Sequence, residues 1–117
     1  MYRVIKIGDR EVPMLGVASV DIYYKQIFRE DLLRIVSADS DHDNTDRIDA
    51  IQRMGFVMAM RAELKDREKM MALNELDYID WLDGFSRGDL IAASAEILAL
   101  YMGEKATEST EKNGVAG

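Results

Sequence analysis

The sequence predicts an α+β fold that is mostly helical, with an N-terminal β-hairpin, about four helices and a disordered C-terminal tail. Three observations predict it. Apolar residues alternate with charged ones at the start of the chain, they recur every three or four positions from Ser19 onwards, and they become scarce after Met102. A chain of 117 residues that is 48% hydrophobic can build one core. We therefore expect one compact domain over residues 1–103 and a disordered tail over residues 104–117.

The hairpin is predicted from the first fifteen residues. In residues 2–7 large apolar side chains are interspersed with basic ones, residues 8–10 supply a turn, and residues 11–15 form a second short run. Because Pro13 has no amide hydrogen, the second strand must be an edge strand or end early.

A helical period begins at Ser19, and the side chain of Ser19 or of Asp21 can cap the first amides. The expected buried stripe is Val20, Tyr23, Tyr24, Ile27 and Phe28. Residues 31–36 either extend this helix or start a short second one. Residues 37–45 are polar throughout, which predicts an exposed loop.

The longest helix is predicted to open at Asn44, Thr45 or Asp46 and to end between Leu64 and Met70. Its apolar positions keep a spacing of three or four, and charge lies largely off that stripe. The stripe consists of Ile48, Ile51, Met54, Gly55, Met58 and Ala62. The charged residues 63–69 are either the exposed end of this helix or a solvated connection.

Residues 74–83 and 86–102 predict the last two helices. Ser86 with Asp89 resembles a capping box at the start of the final helix, and Gly103 suits a left-handed cap at its end. The expected buried face of that helix is Leu90, Ile91, Ser94, Ile97, Leu98 and Tyr101.

The composition excludes several classes of protein. Without cysteine there can be no disulfide, thiolate nucleophile or cysteine-ligated metal. No apolar run reaches the roughly 18 residues of a membrane span, and charges interrupt the N-terminus, so we expect neither a membrane protein nor a signal peptide. The net charge of −7 opposes binding to phosphate backbones. We expect a cytoplasmic protein that binds no nucleic acid and no membrane.

Two motifs suggest metal binding or adhesion, and each has a simpler explanation. Residues 39–43, Asp-Ser-Asp-His-Asp, begin like an EF-hand loop, but the sixth position is Asn44 instead of Gly and the twelfth is Ala50 instead of Glu. A solvated loop explains them better. Residues 87–89, Arg-Gly-Asp, match an adhesion tripeptide, but Asp89 is placed to complement the first turn of a helix.

The chain lacks the residues of most catalytic sites. His42 is the only histidine, so neither a histidine metal cluster nor a Ser-His-Asp relay can form within one chain. Asp80 and Asp83 could act as an acid–base pair only in an enclosed pocket, and the pattern places them beside an amphipathic stripe. We expect no enzymatic activity, no cofactor and no metal.

Eight methionines are many for this length, and five of them cluster in or just after the longest helix, namely Met54, Met58, Met60, Met70 and Met71. Methionine side chains fill cores and also adapt to irregular partners, so we expect most in the core and some on a binding surface. The candidate partner-binding residues are Met54, Met58, Met60, Trp81 and Phe85. The acidic face formed by Glu75, Asp77, Asp80 and Asp83 is either a solvated face or steers a basic or amphipathic partner.

Four segments carry a family resemblance. They are Ile-Lys-Ile-Gly-Asp-Arg-Glu at residues 5–11, Asp-Ile-Tyr-Tyr-Lys-Gln-Ile-Phe-Arg-Glu-Asp-Leu-Leu at residues 21–33, Trp-Leu-Asp-Gly-Phe at residues 81–85 and Leu-Tyr-Met-Gly at residues 100–103. Taken together they resemble the tail assembly chaperones of long-tailed bacteriophages and their prophages. The resemblance covers residues 2 to about 104 and depends on the order and spacing of apolar positions.

The resemblance implies a non-enzymatic protein of the host bacterial cytoplasm. Such a protein binds the tape measure protein, keeps its apolar helices soluble, helps recruit tail tube subunits and is absent from the mature virion; homo-oligomerisation is left open. The resemblance also implies a −1 ribosomal frameshift, for which Lys112-Asn113, encoded as AAA AAC after an A, would supply a slippery heptamer. An alternative from another class is an acidic regulatory decoy, a phage protein that occupies a nucleic-acid-binding site by mimicking phosphate charge.

Overall fold

The computed structural model describes residues 1–32 and 44–103. Within them the chain forms two strands and then five helices. These are β1 (Tyr2–Ile7), β2 (Arg10–Leu15), α1 (Ser19–Phe28), α2 (Asn44–Glu63), α3 (Arg67–Met71), α4 (Glu75–Leu82) and α5 (Arg87–Tyr101). This order confirms the mostly helical α+β fold. None of the described helices has the length and apolar content that crossing a bilayer requires.

Several sequence-based predictions lie outside the described residues. They concern most of the polar loop at residues 37–45, the EF-hand-like run at residues 39–43 with His42, the tail at residues 104–117 and the Lys112-Asn113 pair. They stay predictions.

Strands β1 and β2 form a two-stranded antiparallel sheet. The turn between Ile7 and Arg10 has only two residues, and the first of them, Gly8, has a φ of +64°. Tight hairpin turns require a positive φ at this position, and glycine adopts it without steric cost. Strand β2 begins one residue earlier than predicted, because Arg10 already pairs with Ile7 and so belongs to the strand instead of the turn.

Pro13 occupies a position of β2 where an amide hydrogen is not needed for the sheet. Met1 and Gly16 exchange two hydrogen bonds of 2.7 Å, and the same register pairs Val4 with Pro13. Hydrogen-bonded pairs alternate with non-bonded pairs along an antiparallel ladder, so the backbone of Pro13 points away from β1. This confirms the prediction that the proline-containing strand is an edge strand.

Helix α1 buries all five residues of its predicted stripe. It ends at Phe28 because Arg29 adopts a left-handed φ of 61° and its amide donates to the carbonyl of Lys25 at 2.9 Å. The alternative that residues 31–36 extend α1 is therefore wrong, and most of those residues lie outside the described part of the chain. The prediction that Ser19 or Asp21 caps α1 was wrong. No side chain caps this helix, and the Asp21 carboxylate instead accepts a 2.6 Å hydrogen bond from the Tyr101 hydroxyl.

Helix α2 ends at Glu63, one residue before the predicted window. The charged segment that follows is a connection and then the single-turn helix α3. Asp66 caps α3 by accepting a 2.9 Å hydrogen bond from the amide of Glu68. Glu63 is thus the last residue of α2, residues 64–66 are a connection, and residues 67–69 belong to α3, so each of the two alternatives for this segment was right only in part.

Helix α5 begins at its predicted cap, and α4 begins directly after Asn74, the first residue of its predicted range. The Asn74 side chain accepts from the amides of Leu76 and Asp77, and the Asp77 carboxylate accepts from the amide of Asn74 at 2.9 Å, which completes a capping box. Ser86 Oγ accepts from the amide of Asp89 at 3.1 Å. After α5, Gly103 has a φ of +81°, which confirms the left-handed cap.

The core lies between the inner face of the hairpin and helices α1, α2 and α5. Its α5 face was predicted only in part: Leu90 and Ile97 are buried, whereas Ile91 is 44% exposed. The buried face is Leu90, Ala93, Ile97 and Leu100. Apolar residues surround α5 on all sides, so their spacing alone does not select a face. The buried face is the one that packs on α2 and β1. Near the end of α5 the backbone comes close to Gly16, where a Cβ would lie 2.7 Å from the carbonyl oxygen of Leu100.

Candidate functional site

An apolar groove of about 380 Å³ lies beside β2. Its walls are the strand itself, the last two turns of α2, and the end of α4 with the loop that follows. The lining residues are Arg10, Glu11, Val12, Pro13, Ala59, Met60, Ala62, Glu63, Trp81 and Phe85. Residues from both faces of β2 contribute, so the groove follows the edge of the strand that faces away from β1.

A row of aromatic rings connects the groove to the core. The ring centroids of Phe56 and Trp81 are 5.8 Å apart, and those of Trp81 and Phe85 are 4.9 Å apart, both in edge-to-face geometry. Phe56 is buried, whereas Trp81 and Phe85 are half-buried. Such pairs contribute roughly 0.5–1.5 kcal/mol beyond their buried area. The two aromatic residues of the groove are therefore held in place by the core and still have surface left to contact a partner.

Arg10 closes one end of the groove. Its guanidinium lies 4.8 Å from the centre of the Phe85 ring, and Nη1 donates a 3.2 Å hydrogen bond to the carbonyl of Gly84. A Cβ at residue 84 would meet Arg10 Nη1, so a larger residue there would displace the guanidinium from this position. The contact joins the hairpin to the loop between α4 and α5.

The structure brings together three of the five predicted partner-binding residues. Met60, Trp81 and Phe85 all line the groove. Met54 and Met58 do not reach it, because they lie on the inner face of α2 and both are 0% exposed. In this conformation these two methionines belong to the core and offer no surface to a partner.

Strand β2 contributes to the groove in a way that no sequence pattern predicted. Arg10, Glu11, Val12 and Pro13 form one wall of the groove, although nothing local marks them as binding residues. The one available signal was Pro13, whose predicted edge position already implied an unpaired strand edge.

Buried hydroxyls elsewhere form structural contacts. Glu30 Oε1 accepts a 2.6 Å hydrogen bond from the Tyr24 hydroxyl and a 2.8 Å hydrogen bond from Arg53 Nη1, which ties the end of α1 to α2. Burial, and then the bond to Glu30, raises the pKa of Tyr24. Burial raises the pKa of Tyr78 to about 12. These hydroxyls stay protonated at neutral pH, and neither lies in the groove.

The remaining candidate motifs have structural roles or lie on the surface. Asp80 and Asp83 are exposed on α4 and do not line the groove. Residues 87–89, the Arg-Gly-Asp match, form the first turn of α5, where the amide of Asp89 is capped by Ser86. In the described part of the chain, no group of three or more His, Cys, Asp or Glu residues is placed to hold a metal ion.

Comparisons of this chain with protein-family models, curated proteins and solved structures found no match. The groove therefore has to be interpreted from its own geometry.

Proposed function

We propose that this protein is a non-enzymatic tail assembly chaperone of a long-tailed phage or prophage. In this proposal it acts in the host cytoplasm, binds the tape measure protein, keeps it soluble, helps recruit tail tube subunits and leaves before the virion matures. The observation that carries the proposal is the groove, in which Met60, Trp81 and Phe85 meet at the surface. A flexible thioether beside two anchored rings suits apolar side chains of varied shape.

The edge of β2 favours a helical client over an extended one. A strand that added to this edge would pair with the outward-pointing backbone of Glu11, Pro13 and Leu15. Pro13 has no amide to donate, so one carbonyl of the added strand would be left without a partner. A helix satisfies its own backbone and presents only side chains. We therefore propose that apolar side chains of a client helix enter the groove.

The size of the groove sets how much of the client it can hold. A volume of about 380 Å³ is at the lower end of the roughly 300–1,000 Å³ range of ligand pockets. It accommodates a few large side chains from one helix face. A long client such as a tape measure protein would then need many copies of the chaperone, each holding one apolar segment.

The proposal expects a long helical protein to be encoded just downstream of this gene, and it is tested with overlapping recombinant fragments of that protein. Each fragment is co-expressed with the chain, and binding is measured by fluorescence anisotropy. We expect tight binding to some fragments, and a Phe85→Ser substitution that weakens it by about tenfold or more. The matched control is Ile22→Ser on α1, because Ile22 is 66% exposed and lies outside the groove. Circular dichroism establishes that both variants fold.

Two results would overturn the proposal. One is that no fragment binds, and the other is that Phe85→Ser and Ile22→Ser bind equally well. Raising salt to about 1 M separates the acidic decoy, because charge-driven binding to a nucleic-acid site collapses when the Debye length shrinks to about 3 Å, whereas apolar binding survives. The coding DNA gives an independent test, since a slippery heptamer at Lys112-Asn113 with an open −1 frame supports the family assignment.

A further inference from the structure

The side of α4 that faces away from the groove carries a second surface. Leu76, Ile79, Asp80 and Asp83 are spaced i, i+3, i+4 and i+7, so they form one stripe along the helix. The opposite side holds Tyr78, Trp81 and Leu82, which pack against the core. We call the stripe of Leu76, Ile79, Asp80 and Asp83 the outer face of α4.

The apolar part of the outer face is unusually exposed. Leu76 is 69% exposed, more than any other large hydrophobic residue in the described part of the chain, and Ile79 is 51% exposed. Single exposed apolar residues are common, but these two are one turn apart and so form a continuous contact surface. Neither side chain contributes to the core.

The two carboxylates of the outer face oppose the helix that carries them. Asp80 lies in the last turn of α4 and Asp83 is its C-terminal cap, where the negative end of the helix dipole disfavours an acidic side chain. Residues 70–86 contain no Lys, Arg or His, and no described basic group forms an ion pair with Asp80 or Asp83. The acidic residue at the favourable end, Asp77, serves the capping box instead.

Charge decides what can cover this surface. Anionic lipid and nucleic acid are repelled by Asp80 and Asp83. A second copy would bring two acidic outer faces, and two chains of net charge −7, close together, which is unfavourable. A cationic helix with apolar residues on the same side fits, because it can pack on Leu76 and Ile79 while its ammonium or guanidinium groups pair with the carboxylates.

We propose that the outer face of α4 is a docking site for a basic amphipathic helix of another protein. The site is independent of the groove, since Trp81 faces the groove from the other side of the same helix. A chain with both surfaces can hold an apolar client on one side of α4 and a cationic partner on the other.

The test uses synthetic helical peptides as probes, followed by amide chemical shifts of the isotope-labelled full chain. The first peptide is a leucine–lysine amphipathic helix of about 18 residues, long enough to form a helix on docking. The second has Glu in place of Lys, and the third has the first composition in scrambled order. We expect the first peptide alone to shift the amides of Leu76, Ile79, Asp80 and Asp83, and we expect Met60 and Phe85 to stay unchanged.

Matched variants establish which groups are responsible. Asp80→Asn with Asp83→Asn should weaken binding of the leucine–lysine peptide by about fivefold or more, since both charges are lost. The control, Asp9→Asn with Glu96→Gln, removes the same charge from exposed positions elsewhere and should change the affinity by less than about twofold. Leu76→Ser should weaken binding by a similar factor, and Ile22→Ser should not.

Four outcomes would overturn the docking site. They are shifts confined to the groove, equal weakening by the two charge variants, equal binding of the acidic peptide, and concentration-dependent dimerisation in sedimentation that Leu76→Ser abolishes. Unfolding does not confuse the result, because removing two carboxylates from the C-terminal end of α4 should stabilise that helix. Groove variants should leave the affinity for the leucine–lysine peptide unchanged. Failure of the docking site on α4 is therefore distinguishable from failure of client binding in the groove.

Discussion

Arg10 stacks on Phe85 across 75 positions of sequence, with its guanidinium carbon 4.8 Å from the ring centre. The same guanidinium donates to the carbonyl of Gly84 at 3.2 Å. One side chain of the hairpin thereby fixes the loop that supplies the outer ring of the groove. The shape of the groove consequently depends on a contact that a single methyl group at residue 84 would disturb.

Gly84→Ala should lower the free energy of unfolding by about 0.5–1 kcal/mol, because the added Cβ displaces the Arg10 guanidinium from the Phe85 ring. Arg10→Ala should cost about 0.5–1 kcal/mol through loss of the cation–π contact. The double variant should cost less than the sum of the two, since the colliding group is gone. Urea unfolding of the four proteins measures the cycle. Additive effects would contradict it, and Gly88→Ala is the control because a Cβ there meets nothing.

Substitution by glutamine should have different effects at Met58 and Met60. At Met58 it should lower stability, and at Met60 it should weaken client binding. Met58→Gln places an amide in the core, where the residue is 0% exposed, and should cost about 2–4 kcal/mol of stability. Met60→Gln changes a half-buried wall of the groove and should stay within about 0.5 kcal/mol. Only Met60→Gln should weaken client binding in a fully folded protein. The prediction would be contradicted if Met60→Gln destabilised the fold as much as Met58→Gln does.

Gln52→Met should stabilise the protein by about 1 kcal/mol. Gln52 is 1% exposed, and its Nε2 has no hydrogen-bond partner among the described residues. Its Oε1 accepts only a long 3.4 Å bond from Arg87, which is largely solvent-exposed. Methionine has a similar shape and leaves no buried donor unpaired. Thermal and urea unfolding would contradict this if the variant were less stable than the parent.

Stability should fall in alkaline solution. Burial and the bond to Asp21 raise the pKa of Tyr101, and burial raises the pKa of Tyr78 to about 12. An unfolded tyrosine ionises near pH 10, so above that pH the unfolded state loses protons that the folded state keeps. The stabilisation is complete below about pH 9 and is lost as the pH rises through 10 towards the folded-state pKa values.

Tyr101→Phe should make this alkaline decline shallower by one proton, measured as the pH dependence of the urea midpoint. The variant should also lose about 1 kcal/mol at neutral pH, because the bond to Asp21 is gone. An unchanged slope above pH 10 would show that Tyr101 does not contribute to it.

The sequence predicted those elements whose apolar residues lie on one side. All of the α1 stripe is buried, and the predicted caps at Ser86 and Gly103 form because they depend on local backbone geometry. It did not select the buried face of α5, where apolar residues occur on every side. Tertiary packing of α5 on α2 and β1 made that choice, and no local pattern encodes it.

The candidate site was predictable only on its helical side. Trp81 and Phe85 were proposed from their residue types, and the spacing of α2 already placed Met54 and Met58 on the buried stripe, against their selection as surface residues. The wall made by β2 could not be predicted, because it depends on how the hairpin packs against α2, far along the sequence. The groove and the outer face of α4 could be recognised only from the exposure of each side chain in the folded protein.

The position of Trp81 gives the protein a built-in optical probe. It is the only tryptophan in the chain, and its indole contacts the buried Phe56 on one side and Phe85 on the other. A client that enters the groove changes the polarity around this indole, and loss of the core changes it in the opposite direction by admitting water. Emission from the unlabelled protein therefore separates a bound chaperone from an unfolded one in a single titration.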